Sequence, residues 1–332
     1  MSSKHMFWID YVKVFACILV VLGHFFQSMV KASIIPDNEL YQWFNNTIYY
    51  FHVPLFFICS GYLYQKYSKV DSLKSWENNA LKKALTLGVP YFLFSFITWL
   101  LKTVFSDLAN DQIGGIGDVL FVHPTPPYWY LYILFFIFLF TPTVKEKNGM
   151  FAVGGVALIL KFFGIIGGGI LLLQIYVIRQ LCANEIWFVL GMLLAFFDWQ
   201  KVARRGIGVV LGLIFVIASL WTYKNSNTVV AFGMGLLACA AVFMIVAEEK
   251  EIKCLNWIAK YTMPIFLMHT LFAAPVSVVL MKIGVGVPVQ VISGILISFA
   301  GPIVAMRALE QIKLDFLVFP GRLMKRLRRE LQ

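Results

Sequence analysis

The sequence predicts an all-α fold: a polytopic integral membrane bundle of about ten transmembrane helices with both termini cytoplasmic. The chain of 332 residues is 60% hydrophobic and only 14% charged, whereas soluble domains carry about 25% charged residues. Its apolar residues are gathered in long runs, and most of its lysines and arginines lie between them. This combination excludes soluble enzymes and nucleic-acid-binding proteins, so we expect the lipid bilayer as a partner and no nucleic acid.

Ten apolar runs account for most of the chain. A helix rises about 1.5 Å per residue, so a run of roughly 20 residues crosses a hydrocarbon core of about 30 Å. The alternation typical of barrel strands is absent from these runs. The fifth run is the weakest, because it is rich in glycine and Lys161 interrupts it. In order, the runs occupy residues 7–30, 43–64, 84–105, 128–144, 150–170, 180–198, 206–223, 228–247, 256–281 and 288–309.

The basic residues predict the orientation, because cytoplasmic connections carry the excess of Lys and Arg. Placing the N-terminus inside puts most basic residues on the cytoplasmic side, and the net charge of +11 largely follows from this topology. The cytoplasmic clusters are then residues 66–83, 145–147, 201–205, 250–253 and 307–329. Residues 1–321 are predicted to form the transmembrane domain, and residues 322–332 a basic cytoplasmic tail that should lie on anionic headgroups.

The longest outer connection, residues 106–127, is rich in glycine and ends in a proline-rich segment, Pro124 to Pro127. One interpretation is a lid over an outward-facing site. The other is a passive linker, since proline and glycine also simply break helices. The sequence leaves both interpretations open.

The first run carries three ionisable residues on one face. Lys13 and His24 are eleven residues apart, which is about three helical turns, so both project from the same side about 16 Å apart. Asp10 lies on that face as well. Ionisable groups inside membrane spans are expensive and are functional candidates by default. The structural alternative is an Asp10–Lys13 pair near the inner interface, with the lysine snorkelling and His24 hydrogen-bonded to a neighbour.

The second run adds His52, which lies at a depth similar to that of His24 when both are counted from the outer end. Pro54 should make the helix irregular there, and Ser60 and Gly61 are small neighbours. Two histidines at one level predict a pocket that holds a general base, and structural packing of His52 is the alternative. No group of cysteines or histidines has the spacing of metal ligands, so we expect no metal site.

Several segments share a pattern with a known family. Ten residues, the last of them Gly23, separate the basic residue Lys13 from His24, and the segment Phe-His-x-Pro-Leu-Phe-Phe-x-x-Ser-Gly begins at Phe51. These features resemble membrane acyltransferase family 3, especially its fucose 4-O-acetylase-like and envelope-glycan O-acetyltransferase branch. Looser similarities lie in Lys82-Lys83 followed by Pro90-Tyr91, in Tyr128 to Leu131, and in Lys260 to His269.

The resemblance implies transfer of an acetyl or other short acyl group from cytoplasmic acyl-CoA to a hydroxyl of an envelope or exported polysaccharide sugar, in a bacterial cytoplasmic membrane. Acetyl-CoA would be the acyl-donor substrate, and no cofactor would be permanently bound. Lys82, Lys83 and Lys13 would meet the CoA phosphates, with Asp10 orienting Lys13. Many family members have arginine at these positions, and lysine lacks the bidentate fork of arginine.

Within the same resemblance, His24 is expected to act as a general base or to carry the acyl group transiently. His52 would polarise the reacting group or stabilise the tetrahedral oxyanion. Trp129, with Tyr128 and Tyr130, would stack on the acceptor sugar, and an interfacial aromatic belt is the other interpretation of these three residues.

Two other classes of function fit part of the pattern. A transporter or flippase of a lipid-linked saccharide would use Lys13, His24, His52 and His269 as a proton relay. A structural subunit that holds partner glycosyltransferases would tolerate charge-neutral changes at His24 and Lys13. Labelled acetyl bound covalently to a glycan would distinguish acyl transfer from transport.

Overall fold

The computed structural model describes residues 6–108, 113–247 and 251–330, and throughout these ranges it contains helices and no strand. Eight helices in this described part are long and apolar enough to cross a membrane. The predicted all-α fold of membrane-spanning helices is therefore confirmed. The number of about ten spans and the cytoplasmic position of both termini stay predictions.

Fifteen α-helices form the described chain, and a five-residue π-helical turn, Ala84–Gly88, joins the fourth to the fifth. They are α1 (Phe7–Lys31), α2 (Glu39–Tyr49), α3 (His52–Tyr67), α4 (Leu73–Lys83), α5 (Val89–Val104), α6 (Trp129–Phe140), α7 (Lys147–Ile166), α8 (Tyr176–Leu194), α9 (Trp199–Val202), α10 (Arg205–Thr222), α11 (Thr228–Val246), α12 (Lys253–Ala259), α13 (Thr262–Lys282), α14 (Val287–Gln311) and α15 (Pro320–Glu330).

The second apolar run is divided between two helices, α2 and α3, which meet at Tyr50 and Phe51. Pro54 explains the break, because proline has no N–H to donate and its ring clashes with the carbonyl of the residue four positions earlier, here Tyr50. As a result, His52 is the first residue of α3. The predicted irregularity thus places an imidazole at a helix start.

The fourth apolar run also gives a helix shorter than a full span. Helix α6 has 12 residues, which at about 1.5 Å per residue reach only about 18 Å. Non-helical backbone at membrane depth is tolerated where protein surrounds it. The helices next to these breaks, α3 and α6, are surrounded by protein, because buried residues such as Leu55 and Ile133 lie in the central core.

Helices α3 and α8 cross at two glycines. A Cβ atom added to Gly61 would overlap the carbonyl oxygen of Phe188, and one added to Gly191 would overlap the carbonyl oxygen of Ile58. Each glycine therefore permits direct backbone contact with the opposite helix. This crossing brings the two helices that carry much of the candidate site into close contact.

Helix α1 contacts α3, α11, α13 and α14. At its N-terminal end Trp8 is fully buried, and its ring packs edge-on against Tyr62 and Trp199 with centroids 4.9 and 5.0 Å away. Edge-to-face packing of this kind stabilises beyond the area it buries. The cluster fixes the depth of α1 and, with it, the levels of Lys13 and His24.

The C-terminal helix α15 is held by ion pairs. Asp315 is buried, and its two carboxylate oxygens accept from Arg322 at 2.9 Å and Arg326 at 2.7 Å, while Arg322 also pairs with Glu310 at 2.7 Å. Burial alone would raise the pKa of Asp315, but the two guanidinium groups outweigh it and hold the pKa below its ordinary value. The predicted boundary between residues 321 and 322 falls inside α15, and the placement of the tail on headgroups stays a prediction.

Residues 106–108 and 113–127 of the outer connection are described, and residues 113–127 pack on α5. Tyr91 donates to the carbonyl of Leu120 at 2.7 Å, and the Trp99 indole donates to the carbonyl of Gly114 at 3.1 Å. Residues 109–112 lie outside the described chain. The segment ends at Pro127, which lines the candidate site.

Candidate active site

A cavity of about 310 Å³ opens at the end of the bundle where α1 ends and α3, α8 and α11 begin. Small-molecule sites have volumes of about 300–1,000 Å³. The walls combine apolar rings with a few polar groups: two histidines, one lysine and several amides and hydroxyls. The cavity therefore has the composition of a binding site for a small polar molecule.

His24 lines this cavity and is half-buried. The structure brings His269 of α13 against it, with ring centroids 5.5 Å apart and planes inclined by 32°. Nδ1 of His269 lies 3.0 Å from the carbonyl oxygens of Ile265 and Phe266. Because a carbonyl only accepts, Nδ1 must carry the hydrogen, and Nε2 of a neutral ring is left as an acceptor. That Nε2 is buried and has no hydrogen-bond partner.

His52 lies on the same cavity and is buried. Its Nδ1 donates to the carbonyl oxygen of Ile48 at 2.6 Å, across the break between α2 and α3. The Tyr49 ring packs edge-on against the imidazole with centroids 4.6 Å apart. Nε2 of a neutral His52 is therefore an acceptor, held in a fixed direction by its backbone hydrogen bond. The structure thus brings His24 and His52 to one cavity.

Lys13, Lys82 and Lys83 lie away from the cavity, towards the other end of α1. Lys83 lies close enough to Lys82 and to Lys13 of α1 for both charges to act on it. The ammonium of Lys83 sits 3.5 Å above the ring centroid of Phe138, whereas Lys82 is exposed. Asp10 lies one turn before Lys13 and is half-buried. The three lysines therefore form one basic region, separated from His24 by about 16 Å along α1.

The three consecutive aromatic residues at the start of α6 have different surroundings. Trp129 and Tyr130 line the cavity, and the Tyr130 hydroxyl is 3.1 Å from Oγ of Ser60. Tyr128 is fully buried in the core, where its hydroxyl donates to the carbonyl of Leu267 at 3.0 Å. Only two of the three residues are therefore in a position to contact a molecule in the cavity, and their roles in binding stay predictions.

The cavity has further polar walls that the sequence analysis did not identify as binding groups. Gln27 donates to the Tyr49 hydroxyl at 2.8 Å and lies one turn beyond His24 on the same face of α1. Lys161 and Asn184 come from α7 and α8. A signal existed for Lys161, because a charge inside an apolar run is a functional candidate. Gln27 and Asn184 carry no such signal.

The arrangement places an imidazole where it can act on a molecule in the cavity. His24 offers an imidazole at the cavity wall, and His52 and His269 have their remaining ring nitrogens set by backbone carbonyls. An imidazole of this kind accepts a proton from a hydroxyl or attacks a carbonyl carbon. Among the residues that the structure describes, no group of three or more His, Cys, Asp or Glu is placed to hold a metal ion.

Comparison with known proteins agrees with this chemistry. The sequence profile of acyltransferase family 3, described as an acyltransferase domain, matches residues 6–307. The chain is also similar to the nodulation protein NolL of Mesorhizobium japonicum, with 25% identity over 150 residues, which amount to 42% of this chain and 36% of that protein. The match thus spans about a third of the relative's length, and no solved structure matches the chain. Since the profile covers nearly all of the described helices, the chain belongs to acyltransferase family 3, a family of membrane acyltransferases.

Proposed function

We propose that this protein is an O-acyltransferase that moves an acetyl or other short acyl group from acyl-CoA to a hydroxyl of an envelope or exported polysaccharide sugar. One observation carries the proposal: His24 lines the cavity, and its own helix leads in about three turns to the basic region of Lys13 and Lys83. A single helix thus connects a site suited to a polar acceptor with one suited to an anionic donor.

The donor is assigned to the basic end of the bundle. CoA carries several phosphate groups, and lysine ammonium groups bind phosphate as point charges. Lys82 is exposed and is therefore free to make the first contact, while Lys13 and Lys83 are half-buried. The thioester would then extend along α1 towards His24. With the N-terminus inside a bacterial cytoplasmic membrane, this end faces the cytoplasm, where acyl-CoA is made.

The acceptor is assigned to the cavity, with its hydroxyl next to His24. The lone pair of His24 takes the hydroxyl proton while the oxygen attacks the thioester carbonyl carbon. The tetrahedral intermediate then collapses and the carbon–sulfur bond breaks. The proton on His24 passes to the departing CoA thiolate, so that the products are an acyl ester and free CoA.

The two other histidines act on His24 and on the intermediate. Nε2 of His269 has no partner, and its ring lies beside that of His24 with centroids 5.5 Å apart. A small rotation of His24 would let this Nε2 accept the ring hydrogen of His24 and orient that imidazole. His52 is fixed by its bond to Ile48. Nε2 of the neutral ring would accept one hydrogen of a water molecule, and that water would donate its other hydrogen to the oxyanion. In this scheme His269 is a positioning residue, and its loss should lower kcat more than it changes KM for either substrate.

The test uses purified protein in nanodiscs, incubated with radiolabelled acetyl-CoA and a mixed pool of envelope glycans. We expect covalent label on a glycan and release of free CoA from the wild type, and loss of both in His24→Ala. His123→Ala is the matched control, because His123 is an exposed histidine in the outer connection. A His24→Ala protein that folds normally and acetylates fully would refute the proposal.

The same assay without acceptor separates two chemical routes. If His24 carries the acyl group, the carbonyl carbon bonds first to an imidazole nitrogen and one equivalent of CoA leaves before the acceptor arrives. If His24 is a general base, no such burst occurs. Glycan that changes sides of the membrane without becoming labelled would instead favour the transporter.

A further inference from the structure

Lys161 is a buried lysine in the wall of the candidate site. It lies on α7, it is 7% exposed, and it lines the cavity together with His24 and His52. Its ammonium donates to the carbonyl oxygen of Ala183 on α8 at 2.9 Å. An ammonium group has three hydrogens to donate. The bond to Ala183 uses one, so two remain for a molecule in the cavity.

Among the described residues, no carboxylate forms an ion pair with this ammonium. None of the ion pairs among the described residues includes Lys161. The ammonium is instead held near two aromatic rings, with centroids at 5.1 Å for Phe232 and 5.9 Å for Trp187. Aromatic faces attract a cation but leave its full charge uncompensated. A buried charge without a partner is expensive, which points to a partner that arrives from outside the chain.

The surroundings of Lys161 favour a sugar derivative as that partner. Asn184, Gln180 and Thr228 bring amide and hydroxyl groups to the wall of the same cavity, and such groups bind sugar hydroxyls. Trp187 adds an aromatic surface. The basic region assigned to the donor lies at the other end of α1, so the anion that Lys161 lacks is not supplied by phosphates bound there.

We infer that Lys161 recognises an anionic group, a carboxylate or a phosphate, on the acceptor sugar, and that the acceptor is therefore an acidic saccharide. The inference rests on the proposed acyl transfer, because it assigns the acceptor of that reaction. An ammonium and an anion bind through charge-assisted hydrogen bonds, which are shorter and stronger than neutral ones. In the bound state the anion neutralises Lys161, and the acceptor hydroxyl is held beside His24.

The experiment measures binding in the absence of acyl-CoA, so that it does not depend on catalysis. Wild type, Lys161→Met and Lys201→Met are placed in nanodiscs of neutral lipid and titrated with glucose, glucuronate and glucose 1-phosphate by ligand-observed NMR. Lys201 is an exposed lysine outside the cavity, paired with Asp198, and serves as the matched control. Methionine keeps the length of the lysine stem and removes its charge. A parallel series adds phosphatidylglycerol to the nanodiscs.

We expect the wild type to bind glucuronate or glucose 1-phosphate at least about tenfold more tightly than glucose. Lys161→Met should lose this preference, and Lys201→Met should keep it. Whichever charged sugar is preferred identifies the anion as a carboxylate or a phosphate. Thermal melting of Lys161→Met should equal or exceed that of the wild type, because the substitution removes an unneutralised buried charge.

Equal affinity of the wild type for charged and neutral sugars would overturn the inference, as would unchanged preference in Lys161→Met or no sugar binding at all. Competition by phosphatidylglycerol would assign the anion to a lipid headgroup and overturn the sugar assignment. If Lys161→Met does not fold, the affinities of the wild type for charged and neutral sugars still test the inference. Selective binding without acyl transfer would contradict the proposed function instead, whereas transfer without charge selectivity would contradict only this inference.

Discussion

The crossing of α3 and α8 gives a sharp prediction for Gly61→Ala. The three atoms nearest to the added Cβ atom would all be backbone atoms of α8, namely the carbonyl oxygen and carbon of Phe188 and the amide nitrogen of Met192. A backbone atom cannot rotate away as a side chain does, so the two helices must separate. Gly233→Ala is the matched control, because it makes the same change inside α11, where nothing lies within 4 Å of the new atom.

The magnitude follows from two opposing effects. Overpacking that shifts backbone costs about 1–3 kcal/mol, and contact with backbone alone puts Gly61 at the upper end. Alanine is the better helix former by about 1 kcal/mol. Gly61→Ala should therefore lower the free energy of unfolding by about 2 kcal/mol, while Gly233→Ala should raise it by about 1 kcal/mol. At about 2 °C for each kcal/mol, the melting temperatures should differ by about 6 °C.

The assay is thermal unfolding of the two variants and the wild type in identical nanodiscs, followed by intrinsic tryptophan fluorescence. Gly191→Ala tests the other side of the crossing, and the double variant should lose less than the sum, because helices already separated by one methyl group meet the second at lower cost. Melting of Gly61→Ala at or above the temperature of Gly233→Ala would refute the close contact.

Three further predictions concern the tail and the two binding regions. Asp315→Asn should weaken docking of α15 by about 2 kcal/mol and speed hydrogen exchange there. Because the pKa of Asp315 is lowered, the stabilisation from its ion pairs should be complete above about pH 4 and disappear as the pH falls through the lowered value. Hydrogen exchange that depends on neither the mutation nor the pH would contradict the ion pairs. Trp129→Ala should raise acceptor KM about two- to tenfold, whereas Tyr128→Phe should lower the melting temperature and leave that KM unchanged; equal effects on KM would contradict their different positions. Lys83→Met should raise acyl-CoA KM about tenfold or more in steady-state kinetics, with Lys201→Met as control, and an unchanged KM would remove Lys83 from the donor site.

Much of the fold could be predicted because hydrophobic length is a local property of the chain. Eight of the ten predicted runs correspond to helices long and apolar enough to span a membrane in the described chain. The two exceptions are the second run, which forms α2 and α3, and the fourth run, which forms α6. Pro54 marked the first break in the sequence, and Pro142 marked the end of α6, because proline disfavours helical backbone at the residue before it. The predicted run continued past Pro142 to residue 144 because it followed hydrophobicity alone.

The candidate site was predictable where helical spacing decides it. Lys13 and His24 share a face of α1 because eleven residues make nearly a whole number of turns. Tyr128, Trp129 and Tyr130 were predicted together as one acceptor surface, although successive helical residues point about 100° apart. The structure buries Tyr128 in the core and leaves Trp129 and Tyr130 at the cavity. Grouping these three residues as one acceptor surface therefore took no account of a local rule.

The sequence by itself determined that this is a helical membrane protein with ionisable residues at defined depths in its first two apolar runs, because length, composition and helical period act within one segment. Only the tertiary structure decided which of those residues meet. His269 is 245 positions after His24 and Lys161 is 137 positions after it, yet one contacts His24 and the other shares its cavity. Which residues become neighbours depends on how the helices pack, and this packing depends on the shapes of side chains at contacts such as Gly61 against Phe188. These contacts produce no periodic pattern in the sequence.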